Sequence, residues 1–92
     1  MNTSVNCENK LFASAEINVT DEVDVVYHLY RRDDGDITVY SIEVITLSKG
    51  DLEKKYADSV TTLTDEAERI FALLIEGKVT ACTLYDVLTD IL

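Results

Sequence analysis

Apolar and polar residues alternate between Val23 and Leu47 in the way that two strands of a β-hairpin require. The two runs flank Asp34-Gly35, a dipeptide suited to a type I′ turn. This turn predicts Leu29 opposite Tyr40, and by continuation Tyr27 opposite Ile42, Val25 opposite Val44 and Val23 opposite Thr46. One hairpin face is then almost wholly apolar. The other is mixed: Val26, His28, Tyr30 and Arg32 lie against Glu43, Ser41, Val39 and Ile37.

Two further stretches extend the predicted sheet. Alternation from Leu11 to Val19 predicts a strand before the hairpin, which we place at an edge because alanine is a weak strand former. Residues 20–22 then form the turn into the hairpin. After a loop over residues 48–51, the segment Tyr56 to Leu63 predicts a short fourth strand or an extended connector.

The C-terminal third has helical periodicity. Thr64 is placed to cap a helix that continues to about Glu76, and Gly77 is placed to be the left-handed residue after it. Thr80 is placed to cap a second helix. The apolar stripes of the two helices comprise Ala67, Ile70, Phe71 and Leu74, then Ala81, Leu84, Val87, Leu88 and Ile91.

These elements predict an α+β fold. A small antiparallel meander of three to four strands is covered on one face by a C-terminal αα-hairpin, because two short helices need an apolar surface to pack against. Residues 1–9 lack any pattern and are predicted to form a flexible tail, whereas residues 10–92 form a single domain.

The acidic composition limits the classes of partner. The chain has 92 residues, with 18 acidic and 8 basic side chains and a formal net charge of −10. Such a charge opposes direct binding to nucleic acid or to an anionic membrane, and it favours solubility or a basic partner. The first ten residues do not resemble a signal peptide, and no long apolar run predicts a membrane span. We therefore expect a cytoplasmic protein.

The chain resembles a family of small acidic bacterial domains of unknown function. The resemblance covers residues 25–92 and rests on a "VYSIEV" strand followed by a helix pair with the pattern "G.V....L.DV..D.L". The residues that carry it are Tyr40, Ile42, Glu43, Gly77, Val79, Leu84, Asp86, Val87, Asp90 and Leu92. The resemblance implies the strand and helix order and brings no activity or functional residue. It therefore leaves the function open.

No catalytic, cofactor or metal site is predicted. His28 is the sole histidine, with Ser41 expected opposite and Glu43 diagonal to it, but an open sheet face offers neither a nucleophile elbow nor an oxyanion hole. Cys82 near a helix start lacks a histidine partner, and the acidic clusters lack the ligand spacing of a calcium loop. We therefore expect a protein that is not an enzyme.

The mixed hairpin face is the predicted functional surface. Its members are Val26, His28, Tyr30, Arg32, Ile37 and Val39. If nothing covers them, they form a patch for a protein partner or for self-association; otherwise the first strand, the tail or the Tyr56 segment folds across them. The leading hypothesis is a non-catalytic interaction or regulatory module. The alternative is an acidic mimic of nucleic acid that binds a basic protein surface.

Overall fold

A computed structural model describes residues 9–92, which form a four-stranded antiparallel sheet followed by two helices. The strands are β1 (Lys10–Thr20), β2 (Val23–Asp34), β3 (Ile37–Ser48) and β4 (Asp51–Thr61), in the sheet order β1-β2-β3-β4. Helix α1 (Thr64–Glu76) follows, and a 3₁₀ turn (Ala81–Thr83) continues into α2 (Leu84–Ile91). The predicted α+β meander with a C-terminal helix pair is confirmed. The predicted tail, apart from Asn9, lies outside the described residues.

The fourth strand is longer than predicted. It begins at Asp51 rather than near Tyr56, so Leu52 and the charged residues 53–55 belong to it. An edge strand exposes much of its surface, and four of its first five residues are charged because their side chains extend into solvent. The charged residues of this edge strand therefore made it hard to predict as a strand from its composition.

The β2–β3 turn lies one residue later than predicted. Asp34 pairs with Ile37, which leaves Gly35 and Asp36 as the two loop residues. Gly35 has φ +68° whereas Asp36 does not have positive φ, as in a type II′ turn with glycine first rather than a type I′ turn with glycine second. The prediction of Asp34-Gly35 as the central pair was wrong.

This change moves the strand register by two residues. Leu29 faces Ile42 and Tyr27 faces Val44, instead of the predicted Tyr40 and Ile42. Because side chains alternate between faces, a shift of two leaves every side chain on its predicted face. The apolar set and the mixed set of the hairpin are therefore as predicted, although the individual pairs are not.

The core lies between one sheet face and the helix pair. The sheet contributes Val25, Tyr27, Leu29, Tyr40, Ile42 and Val44, each at most 1% exposed. The helices and the link between them contribute Ala67, Ile70, Phe71, Leu74, Val79, Ala81, Leu84 and Leu88. The helix layer packs mainly on β2, β3 and β4. Residues of β1 on this face, from Ala13 to Val19, are only half-buried at the rim.

Neither predicted threonine cap forms a capping hydrogen bond. Leu63 occupies the N-cap position of α1, and Thr64 is its first helical residue. The Thr64 hydroxyl instead lies 2.6 Å from the Tyr40 hydroxyl, which ties the helix start to β3. Thr80 is at the N-cap of the 3₁₀ turn, again without a side-chain bond to the backbone of that turn.

Helix α1 ends in a Schellman motif whose left-handed residue is Lys78. The Val79 amide donates to the Leu74 carbonyl at 3.0 Å, and the Lys78 amide donates to the Ile75 carbonyl at 3.1 Å. Lys78 has φ +52°, whereas Gly77, which was predicted to be left-handed, has φ −82°. Buried Val79 and Leu74 supply the apolar contact that usually accompanies this motif.

Two side chains of the sheet bind the backbone between the helices. The Tyr27 hydroxyl donates to the Val79 carbonyl at 2.7 Å, and the Ala81 amide donates to the Thr46 hydroxyl at 2.9 Å. Burial raises the pKa of Tyr27 to about 12. The inter-helix link is thereby attached to β2 and β3 as well as packed on them.

Candidate functional site

The sheet face opposite the helices, here called the open face, is formed by alternate residues of all four strands. It includes the six predicted patch residues on β2 and β3, together with Leu11 on β1 and Leu52, Tyr56 and Asp58 on β4. None of the helices within residues 9–92 packs on this face. The open face is therefore built by the same strand alternation that builds the core.

The structure divides the predicted patch by exposure. Ile37 is 55% exposed at the hairpin end, whereas Val39, two residues along the same strand, is only 9% exposed. Val26, His28, Tyr30 and Arg32 are half-buried. The centre of the open face is consequently polar and packed, and its large exposed apolar side chains lie towards the ends of the strands.

His28, Tyr30 and Glu43 form one hydrogen-bonded cluster. Glu43 lies opposite His28 rather than diagonal to it, because of the two-residue register change. His28 Nδ1 lies 3.1 Å from Glu43 Oε1, and the Tyr30 hydroxyl donates to the same oxygen at 3.2 Å. Burial first, and then the Glu43 carboxylate, raises the pKa of Tyr30 above its ordinary value. Tyr30 thus acts as a hydrogen-bond donor to Glu43.

A second cluster joins β2, β3 and β4. The Ser41 hydroxyl, on a residue that is 1% exposed, donates to Asp58 Oδ1 at 3.0 Å and accepts from the Ser59 amide at 3.0 Å. Arg32 lies 3.3 Å from the same Asp58 oxygen. The Ser41 hydrogen bond, followed by Arg32, lowers the pKa of Asp58. This cluster fixes the irregular part of β4, where Ser59 has φ +55° and the register shifts.

The serine and the histidine therefore belong to different networks. The Ser41 hydroxyl donates its hydrogen bond to Asp58, whereas His28 is hydrogen-bonded to Glu43. A hydroxyl nucleophile needs a base that accepts its proton, and here a carboxylate in a separate cluster accepts that hydrogen bond. Sequence reasoning placed Ser41 and His28 on the correct face but missed Asp58, whose position depends on the register of β4 against β3.

Near the β3–β4 turn, a groove of about 410 Å³ is lined by two apolar side chains, Leu47 and Leu52, and by charged ones. Leu47 and Leu52, paired across β3 and β4, are 36% and 62% exposed. Asp24 and Glu22 line the side of the groove, and Lys49 Nζ lies 2.6 Å from the Glu22 carboxylate. Apolar groups flanked by charged ones are typical of a protein-contact surface.

The comparison with known families yields one match. Residues 4–92 match the family of unknown function DUF6514. The chain belongs to this family. No curated protein and no solved structure matches the chain. The DUF6514 match extends the resemblance from residue 25 back to residue 4, so that β1 is part of what the family shares.

Other candidate sites are not assembled in the described part of this DUF6514 chain. Among residues 9–92, no three histidine, cysteine or acidic side chains come together in an arrangement that would hold a metal ion. Cys82 is exposed, with Thr80 Oγ1 3.4 Å from its sulfur. Each helix within those residues is too short or too polar to cross a bilayer.

Proposed function

We propose that this DUF6514 chain is a non-catalytic interaction module that binds a protein partner through its open face. The observation that carries the proposal is the exposure of four large apolar side chains on that face, of which Leu47 is the least exposed at 36%. Leu11, Ile37 and Leu52 are 56%, 55% and 62% exposed. Apolar side chains at both ends of this face would be buried by a partner that spans it.

The polar centre of the open face supports binding rather than catalysis. Its two hydrogen-bonded clusters hold Tyr30, Arg32 and Glu43 in fixed positions before any partner arrives. Preordered side chains lose less conformational entropy on binding, and tyrosine and arginine often dominate interface energies. A raised Tyr30 pKa and a committed Ser41 hydroxyl both disfavour nucleophilic chemistry.

The acidic nucleic-acid mimic is the second candidate, and a different surface favours it. The outer sides of the helices expose acidic residues with few basic ones between them: Asp65, Glu68, Glu76, Asp86 and Asp90. A surface of this kind attracts a basic protein over long distances. The two candidates therefore use opposite sides of the molecule.

Partner capture by the purified protein from a lysate of its native organism tests both candidates. Two double variants are compared with the parent: Leu11→Ser with Ile37→Ser on the open face, and Glu68→Gln with Asp86→Asn on the helices. Both pairs are exposed, so urea melts should show folded proteins.

We expect the open-face variant alone to lose the partner and the parent to retain it at high salt. Capture that disappears at high salt and in the helix variant would instead establish the mimic, since salt screens exposed charge pairs. A partner retained by the open-face variant at high salt would contradict the main proposal.

A further inference from the structure

We propose that β1 pairs with β1 of a second copy of this chain, which joins two four-stranded sheets into one sheet of eight strands. The inference is independent of the proposed function, because it uses the edge of the sheet rather than its open face. It rests on how differently the two edge strands, β1 and β4, are constructed.

Strand β4 has the features that protect a sheet edge. Five of its residues are charged: Asp51, Glu53, Lys54, Lys55 and Asp58. It also contains left-handed Ser59 next to a register irregularity. Charged side chains and irregular backbone are devices by which proteins prevent a further strand from adding to an edge. A second copy is therefore disfavoured at β4.

Strand β1 lacks that charge protection over its length. It has 11 residues, no proline, and only Lys10 and Glu16 as charged side chains. Its net charge is zero in a chain of net charge −10, so two β1 strands meet without the repulsion that opposes most other contacts between copies. Its register irregularities lie near the ends and leave residues 13–18 regular.

The helix-covered face of β1 is also incomplete. Ala13, Ala15, Ile17 and Val19 are half-buried at the rim because the helix layer packs mainly on the other three strands. Side-by-side pairing of two β1 strands would place two such stripes next to each other. Apolar surface that one copy leaves partly wet would then be buried by both.

Antiparallel self-pairing over the regular residues 13–18 has one favourable centre, Ala15. With Ala15 on the two-fold axis, Ser14 lies opposite Glu16 of the second copy. Ile17 then lies opposite Ala13, a large residue against a small one. A register in which Glu16 faces its own copy would oppose two like charges, which is unfavourable across strands. Because β4 is protected, the assembly closes as a symmetric dimer.

Charge changes at Ser14 test this register. Ser14 is exposed, so replacing it has little effect on the fold of one copy. In the proposed dimer, Ser14→Lys creates two attractive pairs with Glu16 and Ser14→Asp creates two repulsive pairs. By sedimentation equilibrium we expect the dimer Kd to fall about 2- to 30-fold for the first variant and to rise by a similar factor for the second.

The parent dimer should also tighten as salt rises, because salt screens the repulsion between two chains of net charge −10. A parent that stays monomeric at millimolar concentration in low and high salt would overturn the proposal. So would equal weakening by both Ser14 variants, which is expected if Ser14 faces its own copy.

Disulfide trapping provides a second measurement that does not depend on charge. In a Cys7→Ser, Cys82→Ser background, a single cysteine is placed at Ala13, Ala15 or Ile17, or at Glu53 on β4 as the control. Only a residue on the two-fold axis faces its own copy, so we expect cross-linked dimer at residue 15 in clear excess over the others. Equal cross-linking at residues 15 and 53 would overturn the proposal.

Discussion

The two faces of the sheet are made by the same strands yet are stabilised in different ways. The helix-covered face buries apolar side chains, with Tyr27, Leu29 and Ile42 fully inaccessible to solvent. The open face retains order through hydrogen bonds between polar side chains, centred on Glu43 and Asp58. The stabilisation from apolar burial is large and does not depend on direction, whereas the net contribution of one hydrogen bond is about 0.5–1.5 kcal/mol. The covered face therefore supplies most of the stability, whereas the open face fixes the positions of its polar side chains, which makes the open face the better candidate for function.

The largest expected effect lies on the covered face. Phe71→Ala removes a buried aromatic ring between α1 and the sheet, and should lower the free energy of unfolding by about 3–5 kcal/mol. Leu73→Ala, on the outer side of the same helix and 37% exposed, is the matched control and should cost below about 1 kcal/mol. Urea melts measure both. Similar losses for the two variants would mean that α1 is rotated from the orientation described.

Tyr27→Phe tests a hydroxyl group that is buried within the covered face. The variant leaves the buried Val79 carbonyl without its donor and should cost about 1–3 kcal/mol at neutral pH. The Tyr27 pKa is about 12 in the folded state and 10.0 ordinarily, so between these values the folded chain keeps a proton that the unfolded chain loses. Stability from this group is complete below pH 10 and decreases as pH rises towards 12.

The alkaline limb of the stability profile should therefore be shallower in Tyr27→Phe than in the parent. Urea melts at pH 9, 10 and 11 measure the difference in the free energy of unfolding between the parent and the variant. Groups that the two proteins share do not contribute to this difference. Parallel profiles would show that the Tyr27 hydroxyl does not titrate differently in the folded state.

On the open face, Ser41→Ala should cost about 1–2 kcal/mol. The change removes the acceptor for the Ser59 amide and the donor to Asp58, which hold the irregular part of β4. Thr38→Ala, on the same strand as Ser41, removes a single exposed hydrogen bond to Asp33 of β2; it is the control and should cost a few tenths of a kcal/mol. Amide hydrogen exchange should show faster opening around Ser59 in the Ser41 variant only. Unchanged exchange there would contradict the bracing role of Ser41.

The smallest effect is expected for Asp58→Asn, since Asp58 is exposed and exposed ion pairs contribute little. Its pKa lies below the ordinary 3.8, so its contribution is present above that value and is lost as pH falls through the lower, folded-state value. The parent should thus lose slightly more stability than the variant between pH 4 and pH 2. Identical acid limbs in urea melts would indicate that Ser41 and Arg32 do not favour the charged form.

Alternation predicted the faces of the sheet correctly because it depends only on the two-residue period of a strand. It did not predict the pairs, because Asp34-Gly35-Asp36 accommodates glycine as the second residue of one turn type or the first of another. Both turn types place Gly35 at positive φ, and the strand pairings that follow from them differ in register by two residues. His28 was consequently expected opposite Ser41 and lies opposite Glu43.

The composition of the open face was harder to predict than its location. Tyr30 and Arg32 were expected there from strand parity, but Asp58 was not, because the predicted segment Tyr56 to Leu63 had no assigned register against β3. The buried state of Val39 could not be inferred either, because it depends on packing within a face that alternation describes only as mixed. To predict contacts that cross three strands, the register of all three strands must be known.

The order of elements along the chain has a consequence for synthesis. Neighbouring strands of the sheet are consecutive in sequence, so each hairpin can form as soon as its second strand has been made. The helix layer that covers the apolar face is encoded entirely by residues 64–92. At about 5–20 residues per second, translation of this stretch takes about 1.5–6 s. For those seconds a nascent sheet would have Tyr27, Leu29 and Ile42 uncovered, and exposed apolar surface of this kind favours aggregation.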